Sequence, residues 1–125
     1  MAAQTPPKTL LVVEDYQDTR EMLAFMLRRA GYAVETAENG AQALDRLRAG
    51  PRPDLVLLDM LLPILDGWHL LSQIQRDPVL SGVPVVVTTG TILTREWAVQ
   101  SGCAGFVKKP VEYEELLAEV GRCLC

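Results

Sequence analysis

Apolar residues are distributed in two alternating patterns along this chain: short unbroken runs, and longer stretches in which they recur every three or four positions. The clearest run is Leu55-Val56-Leu57-Leu58, which stops abruptly at Asp59. Unbroken apolar runs of this length read as strands buried on both faces, the pattern of a parallel sheet covered by helices. Thr9 to Val13 and Val83 to Val87 read the same way, with shorter strands at Ala33 to Ala37 and Ala104 to Val107. Helical spacing joins Met22, Leu23, Met26, Leu27 and Ala30, with Asp18 or Thr19 as the cap and Gly31 as the stop. A helix over Ala41 to Arg48 turns Ala43, Leu44 and Leu47 inward, and Asn39-Gly40 marks the turn before it. Asp66-Gly67 opens a helix with the stripe Leu70, Leu71, Ile74, and Asp77-Pro78 closes it. Two more helices are predicted, from about Arg95 to Ser101 and from about Glu112 to Leu124, the last with Tyr113, Leu116, Leu117 and Val120 inward.

Strict alternation of strand and helix predicts an α/β fold, a doubly wound (βα)5 parallel sheet with helices on both faces. Periodicity does not fix strand order. In the flavodoxin-like order 2-1-3-4-5, strands one and three flank the crevice at the carboxyl ends of the strands, where such sheets bind ligands.

Composition narrows the class. At 125 residues, 49% hydrophobic and 22% charged, the chain reads as one globular domain. Residues 1–7 are expected to be a disordered lead-in and 8–125 the domain. A net charge of −4 argues against nucleic acid as a direct partner and against an anionic membrane, and no apolar run is long enough to span a bilayer. Cys103, Cys123 and Cys125 show no metal-type spacing and read as free thiols of a cytoplasmic protein.

The polar residues at the strand ends carry the chemistry. Strand one ends in Glu14-Asp15, strand three in Asp59, strand four in Thr88-Thr89 and strand five in Lys108-Lys109. Each alone has an ordinary explanation as a cap or solvated turn; in a parallel sheet all of them lie on one edge. Three close carboxylates repel, and a bound cation relieves the repulsion. All-oxygen ligation without nearby His or Cys suits Mg2+ or Mn2+. With Lys109 and the Thr89 hydroxyl, this is a receptor for a tetrahedral anion beside a carboxylate nucleophile, Asp59.

Val13-Glu14-Asp15, the stretch Asp59 to Gly67, Pro84 through Thr89-Gly90, and Phe106-Val107-Lys108-Lys109-Pro110 together resemble the receiver domain of two-component response regulators, over essentially the whole chain from Lys8. The resemblance implies that Asp59 takes a phosphoryl group from a histidine of a sensor kinase or phosphotransfer protein. It implies Mg2+ held by Asp15, Asp59 and the Leu61 backbone carbonyl, with Glu14 acting through metal-bound water. Lys109 would pair with the phosphoryl oxygens, Thr89 and Phe106 would act as switch residues, and the Lys109-Pro110 bond would be cis. Helix four, strand five and helix five would then present an altered surface to a downstream effector, a phosphorylation-dependent dimer being one form of that output. Such a domain is a signalling switch rather than a turnover enzyme.

Thr89 to Lys109 spans twenty residues, about two fewer than the resemblance leads one to expect, and Phe106 stands where Tyr is commoner. Two versions of the reading are open: a receiver standing alone, and one cut from a longer transcription factor or hybrid kinase. A haloacid-dehalogenase-type phosphohydrolase shares the strand-end Asp, Thr, Lys and Mg2+. It needs a second Asp two residues after the nucleophile, where this chain has Leu61. A flavin-binding module of similar architecture is disfavoured by Glu14-Asp15, which would repel the flavin phosphate. His69, beside Trp68 on the third helix, reads as a surface residue, Trp97 as partly packed or partner-facing, and Cys103 as a space-filler.

Overall fold

The computed structural model describes residues 6–60, 67–90 and 93–124. Ten elements alternate along it: β1 (Thr9–Val13), α1 (Gln17–Arg29), β2 (Ala33–Ala37), α2 (Gly40–Ala49), β3 (Leu55–Asp59), α3 (Gly67–Arg76), β4 (Val85–Thr89), α4 (Arg95–Gln100), β5 (Gly105–Lys108) and α5 (Tyr113–Leu124). The strands form one parallel sheet in the order β2-β1-β3-β4-β5, the flavodoxin-like arrangement.

Alternate residues of each inner strand feed two separate cores, as a period-two backbone requires. Leu11, Val13, Val56, Leu58, Val85 and Val87 pack with Ala43 and Leu47 of α2, Leu70, Leu71 and Ile74 of α3, and Ala98 of α4. Leu10, Val12, Leu55, Leu57, Val86 and Val107 pack with Leu23, Ala24 and Leu27 of α1 and Leu116 and Val120 of α5. Three helices thus cover one face and two the other. The continuous apolar runs of β1, β3 and β4 follow from burial against both layers.

Several local expectations change. Neither Asp18 nor Thr19 caps α1: the N-cap is Tyr16, without a side-chain hydrogen bond, and Asp18 lies inside the first turn, where a carboxylate suits the unpaired N–H groups. The buried stripe of α1 is Leu23, Ala24 and Leu27; Met22 is exposed, Met26 half-buried and Ala30 exposed. A stripe centred on Leu23 and Leu27 turns position 22 about 100° away, toward solvent. Asn39 is more than a turn signal: its Oδ1 accepts from the Gln42 N–H at 2.8 Å, while Gln42 Oε1 accepts from the Glu38 N–H at 2.9 Å, a reciprocal cap on α2. Thr94 caps α4, its Oγ1 accepting from the Trp97 N–H at 3.1 Å. Asp66, expected to open α3, lies outside the described residues, as do Leu61 and Cys125. No helix among the described residues is long and apolar enough to cross a membrane.

Candidate functional site

The carboxyl edge of the sheet is built by continuing the strand ladders one residue past their apolar runs. Glu14 follows β1, and its N–H still donates to the Ala37 carbonyl at 3.1 Å. Asp59 is the last residue of β3 and stands in register with Thr88 of β4. Lys109 follows β5, its N–H donating to the Thr89 carbonyl at 2.9 Å. Polar side chains are thereby fixed by backbone already committed to the sheet. Glu14 and Asp59 are only 1% and 3% exposed; Asp15 is exposed. The turn carrying Glu14 and Asp15 is tied down by Arg20, whose guanidinium donates to both of their carbonyls, at 3.1 and 3.3 Å.

Carboxylate oxygens of Glu14, Asp15 and Asp59 lie within 4.8 Å of one another. The Lys109 ammonium reaches into this cluster, 2.9 Å from Glu14 Oε2 and 3.4 Å from Asp59 Oδ2. Burial pushes the Glu14 carboxyl up; the Lys109 hydrogen bond opposes this, the Asp59 charge adds to it, and the net shift is upward. Burial alone would lower Lys109, but its hydrogen bond to Glu14 and the Asp59 charge outweigh it and hold the ammonium above its ordinary value. One ammonium shared between two buried carboxylates, with a third at the rim, leaves an excess of negative charge in a confined space. A hard divalent cation with oxygen ligands fits that donor set.

The structure therefore joins four of the residues singled out in the sequence: Glu14, Asp15, Asp59 and Lys109. Thr89 is fully buried at the end of β4, one residue beyond the one facing Asp59. Phe106 lies on β5 in register with Val87, half-buried against the core on the α2–α4 side. The Lys109-Pro110 peptide is cis. The Leu61 carbonyl, a ligand implied by the resemblance, falls outside the described residues. Trp68 and His69 are exposed. Trp97 is half-buried and meets Trp68 edge to face, ring centroids 4.6 Å apart at 75°. Cys103 is buried, and burial raises its thiol to about 11.

Gly67 sets how closely α3 approaches the site. A Cβ there would stand 2.5 Å from the Met60 Cα and 2.9 Å from the Asp59 and Met60 carbonyl oxygens. Only a residue without a side chain lets this helix begin directly against the strand end that carries Asp59.

Sequence reasoning missed Glu119 of α5, which is 8% exposed. It bridges Arg95 at 2.7 Å and Arg122 at 3.1 Å and accepts the Phe106 N–H at 2.8 Å. The available signal was its position three residues after Leu116, on the inward stripe of the helix.

Residues 10–121 match the family described as "Response regulator receiver domain". The chain is 37% identical over 116 residues to the response regulator MprA of Mycobacterium sp. strain KMS, covering 91% of this chain and 49% of that protein. It is 37% identical over 118 residues to the DNA-binding response regulator MtrA of Mycolicibacterium smegmatis, covering 93% and 50%. The chain thus spans about half the length of these relatives. A crystal structure of a putative response regulator from Chloroflexus aurantiacus superposes with a TM-score of 0.87 at 34% identity, covering 94% of this chain and 98% of that one. Strand order, acidic edge and sequence match converge on one assignment: this chain belongs to the response regulator receiver domain family, whose members act as signalling switches.

Proposed function

We propose that Asp59 is the phosphoacceptor of a two-component signalling system, taking its phosphoryl group from a phosphohistidine on a sensor kinase or phosphotransfer protein. The observation that carries this is the placement of Asp59: a buried strand-end carboxylate, 3.4 Å from a lysine ammonium and inside a three-carboxylate cluster. In the transfer, an Asp59 carboxylate oxygen attacks phosphorus, the bond from phosphorus to the donor imidazole nitrogen breaks, and the histidine leaves with its electron pair. The product is an acyl phosphate on Asp59.

Asp15 and Asp59 would hold Mg2+ (or Mn2+), with the Leu61 carbonyl as a further ligand and Glu14 acting through a water. When bound, the cation neutralises charge on the phosphoryl oxygens and on the acidic cluster. The rest belongs to the chain itself. Lys109, already on the cluster, pairs with a phosphoryl oxygen, and the sheet edge keeps the nucleophile fixed without reorganisation. Thr89 offers a hydroxyl, and its buried position makes any movement a repacking event rather than a free rotation. Phe106, next along the sheet, responds with it, and the α4-β5-α5 face changes for an effector or for a second copy of the chain. The response is a population shift, bounded by how differently the phosphoryl group is held in the two arrangements.

In one version of this reading, patterned on the relatives of which the chain spans about half, the receiver controls an output segment of a longer regulator. DNA binding, printed in the name of one relative, would then belong to that further segment.

The test is incubation with acetyl phosphate and Mg2+ followed by intact mass. One added phosphoryl group, abolished by Asp59→Asn and by a chelator, is the expected result. Labelling that survives Asp59→Asn would place the acceptor elsewhere.

A further inference from the structure

We propose that Glu119 is a positioning residue for the switch, a clamp that ties α4, β5 and α5 together in the unphosphorylated arrangement and so sets how readily the phosphoryl signal takes hold. The proposal rests on the reading of Asp59 as phosphoacceptor.

A carboxylate placed between Leu116 and Val120 on the inward stripe of α5 costs stability unless it is paired, so its partners define its role. Glu119 Oε2 accepts from Arg95 of α4 at 2.7 Å and from the Phe106 N–H at 2.8 Å, and Oε1 accepts from Arg122 Nε at 3.1 Å. A single side chain therefore touches three consecutive elements. Gly105 makes room for it: a Cβ there would stand 2.9 Å from Glu119 Oε2 and 2.9 Å from Cys123 Sγ.

The site of the grip matters. β5 is an edge strand, with β4 on its other side. An open edge presents unpaired N–H and C=O groups. Here the Phe106 N–H goes to Glu119, while the Ala104 carbonyl accepts from Arg122 at 2.8 Å and from the Cys123 thiol at 3.3 Å. These edge groups are thus met by side chains of α5, and the Phe106 carbonyl by Arg95 of α4 at 3.5 Å, and not by another strand. Phe106 is held at its backbone two residues before Lys108, which pairs with Thr89. On its other flank α4 touches α3 through Trp97 on Trp68 and through the Ser101 carbonyl, which accepts from Gln75 Nε2 at 2.7 Å. That helix is only six residues long. Its attachment depends on such side-chain ties more than on its own helical stability.

Any arrangement that shifts Phe106 or α4 must break or remake the bonds of Glu119. Interactions made in only one of two arrangements bias the equilibrium toward it, and removing them favours the other. Weakening the clamp should therefore let a phosphoryl mimic bind at lower concentration.

The experiment is a titration with beryllofluoride and Mg2+. Occupancy is read from the bound 19F resonance and the arrangement of α4 from tryptophan emission. The variants are Glu119→Gln, Arg95→Gln and Arg95→Lys. The expected result is a midpoint lowered about fivefold or more in Glu119→Gln and Arg95→Gln, the low end of ordinary coupling between sites, with Arg95→Lys closer to the parent. Were Glu119→Gln to unfold, Arg95→Gln would carry the test, since that arginine is exposed. Bound fluoride with coincident midpoints in parent and folded variants would overturn the clamp while leaving the phosphoacceptor reading standing. Absence of bound fluoride in every protein, the parent included, would overturn both.

Discussion

The Lys109 ammonium lies 2.9 Å from Glu14 Oε2, closer than to Asp59, the residue it is proposed to serve. Before any phosphoryl group arrives, this lysine neutralises a carboxylate that is almost wholly buried. Removing one partner of a buried pair leaves the other as an uncompensated charge. Lys109→Met should therefore destabilise the metal-free protein by about 3 kcal/mol at pH 8. The Glu14 carboxyl is already raised by burial and by Asp59, and loss of Lys109 raises it further. A group so raised is penalised when ionised, so the loss should shrink as pH falls and Glu14 takes up a proton. Urea unfolding of parent and variant at pH 8 and pH 5, in chelator, measures this; an equal difference at both pH values would count against it.

Asp59 contributes to the repulsion that this lysine only partly offsets. Asp59→Asn removes one of three carboxylates that approach within 4.8 Å. In chelator the variant should unfold later than the parent, by about 1 kcal/mol, or roughly 4 °C in a chain of this size. Mg2+ at a hundred times its dissociation constant should stabilise the parent by about 2.7 kcal/mol by mass action, and the variant by much less. Thermal melts with and without Mg2+ decide this. A variant that gains as much from Mg2+ as the parent would remove Asp59 from the ligand set.

Gly67 and Gly121 are both helical, yet they should respond to alanine with opposite signs. A Cβ at Gly67 meets the Met60 backbone at 2.5 Å, whereas one at Gly121 meets nothing within 4 Å. Gly67→Ala must push α3 off the end of β3, at a cost of about 1–3 kcal/mol, and should slow labelling of Asp59 by acetyl phosphate. Gly121→Ala adds helix propensity to α5 and should stabilise by roughly 0.5–1 kcal/mol. Chemical denaturation of the pair reads both signs at once; destabilisation by Gly121→Ala would show that α5 is closed at that position.

The contrast between Asp59 and Glu119 shows what a single sequence exposes. Asp59 interrupts an apolar run, so its strangeness is local and visible. Together with Glu14-Asp15 and Lys109 at other strand ends, it makes a pattern that burial on both faces explains. Strand order needed the family resemblance, because periodicity carries no information on which strands are neighbours. Glu119 falls on the inward stripe of α5, three residues after Leu116 and beside Val120, but a lone glutamate on that stripe does not reveal what pairs with it. Its partners are Arg95, twenty-four residues away, and the edge of β5, and helical periodicity names neither of them. Met22 fails for the opposite reason: an apolar residue adjoining a stripe is indistinguishable from one within it until the helix is docked.

Glu119 should also leave a signature in acid. Burial raises its carboxyl, but the Arg122 hydrogen bond, the Phe106 N–H and Arg95 together overcome that and bring it down to about 2. The folded state thus holds this proton less tightly than the unfolded chain, whose glutamate titrates near 4.5. The stabilisation from the ionised clamp is fully present above that value and is lost as pH falls toward 2. Glu119→Gln keeps an acceptor for the Phe106 N–H but carries no charge to titrate. The stability difference between parent and Glu119→Gln should therefore hold steady from pH 7 to 5 and decline through pH 4 and 3. Because the other carboxylates titrate in both proteins, the difference isolates this one. High salt should reduce it as well, since both arginines are more than half exposed and their attraction is screened. Equal stability of the two proteins from pH 7 down to 3 would mean that Glu119 acts through its hydrogen bond to the Phe106 N–H, which glutamine keeps, and not through its charge.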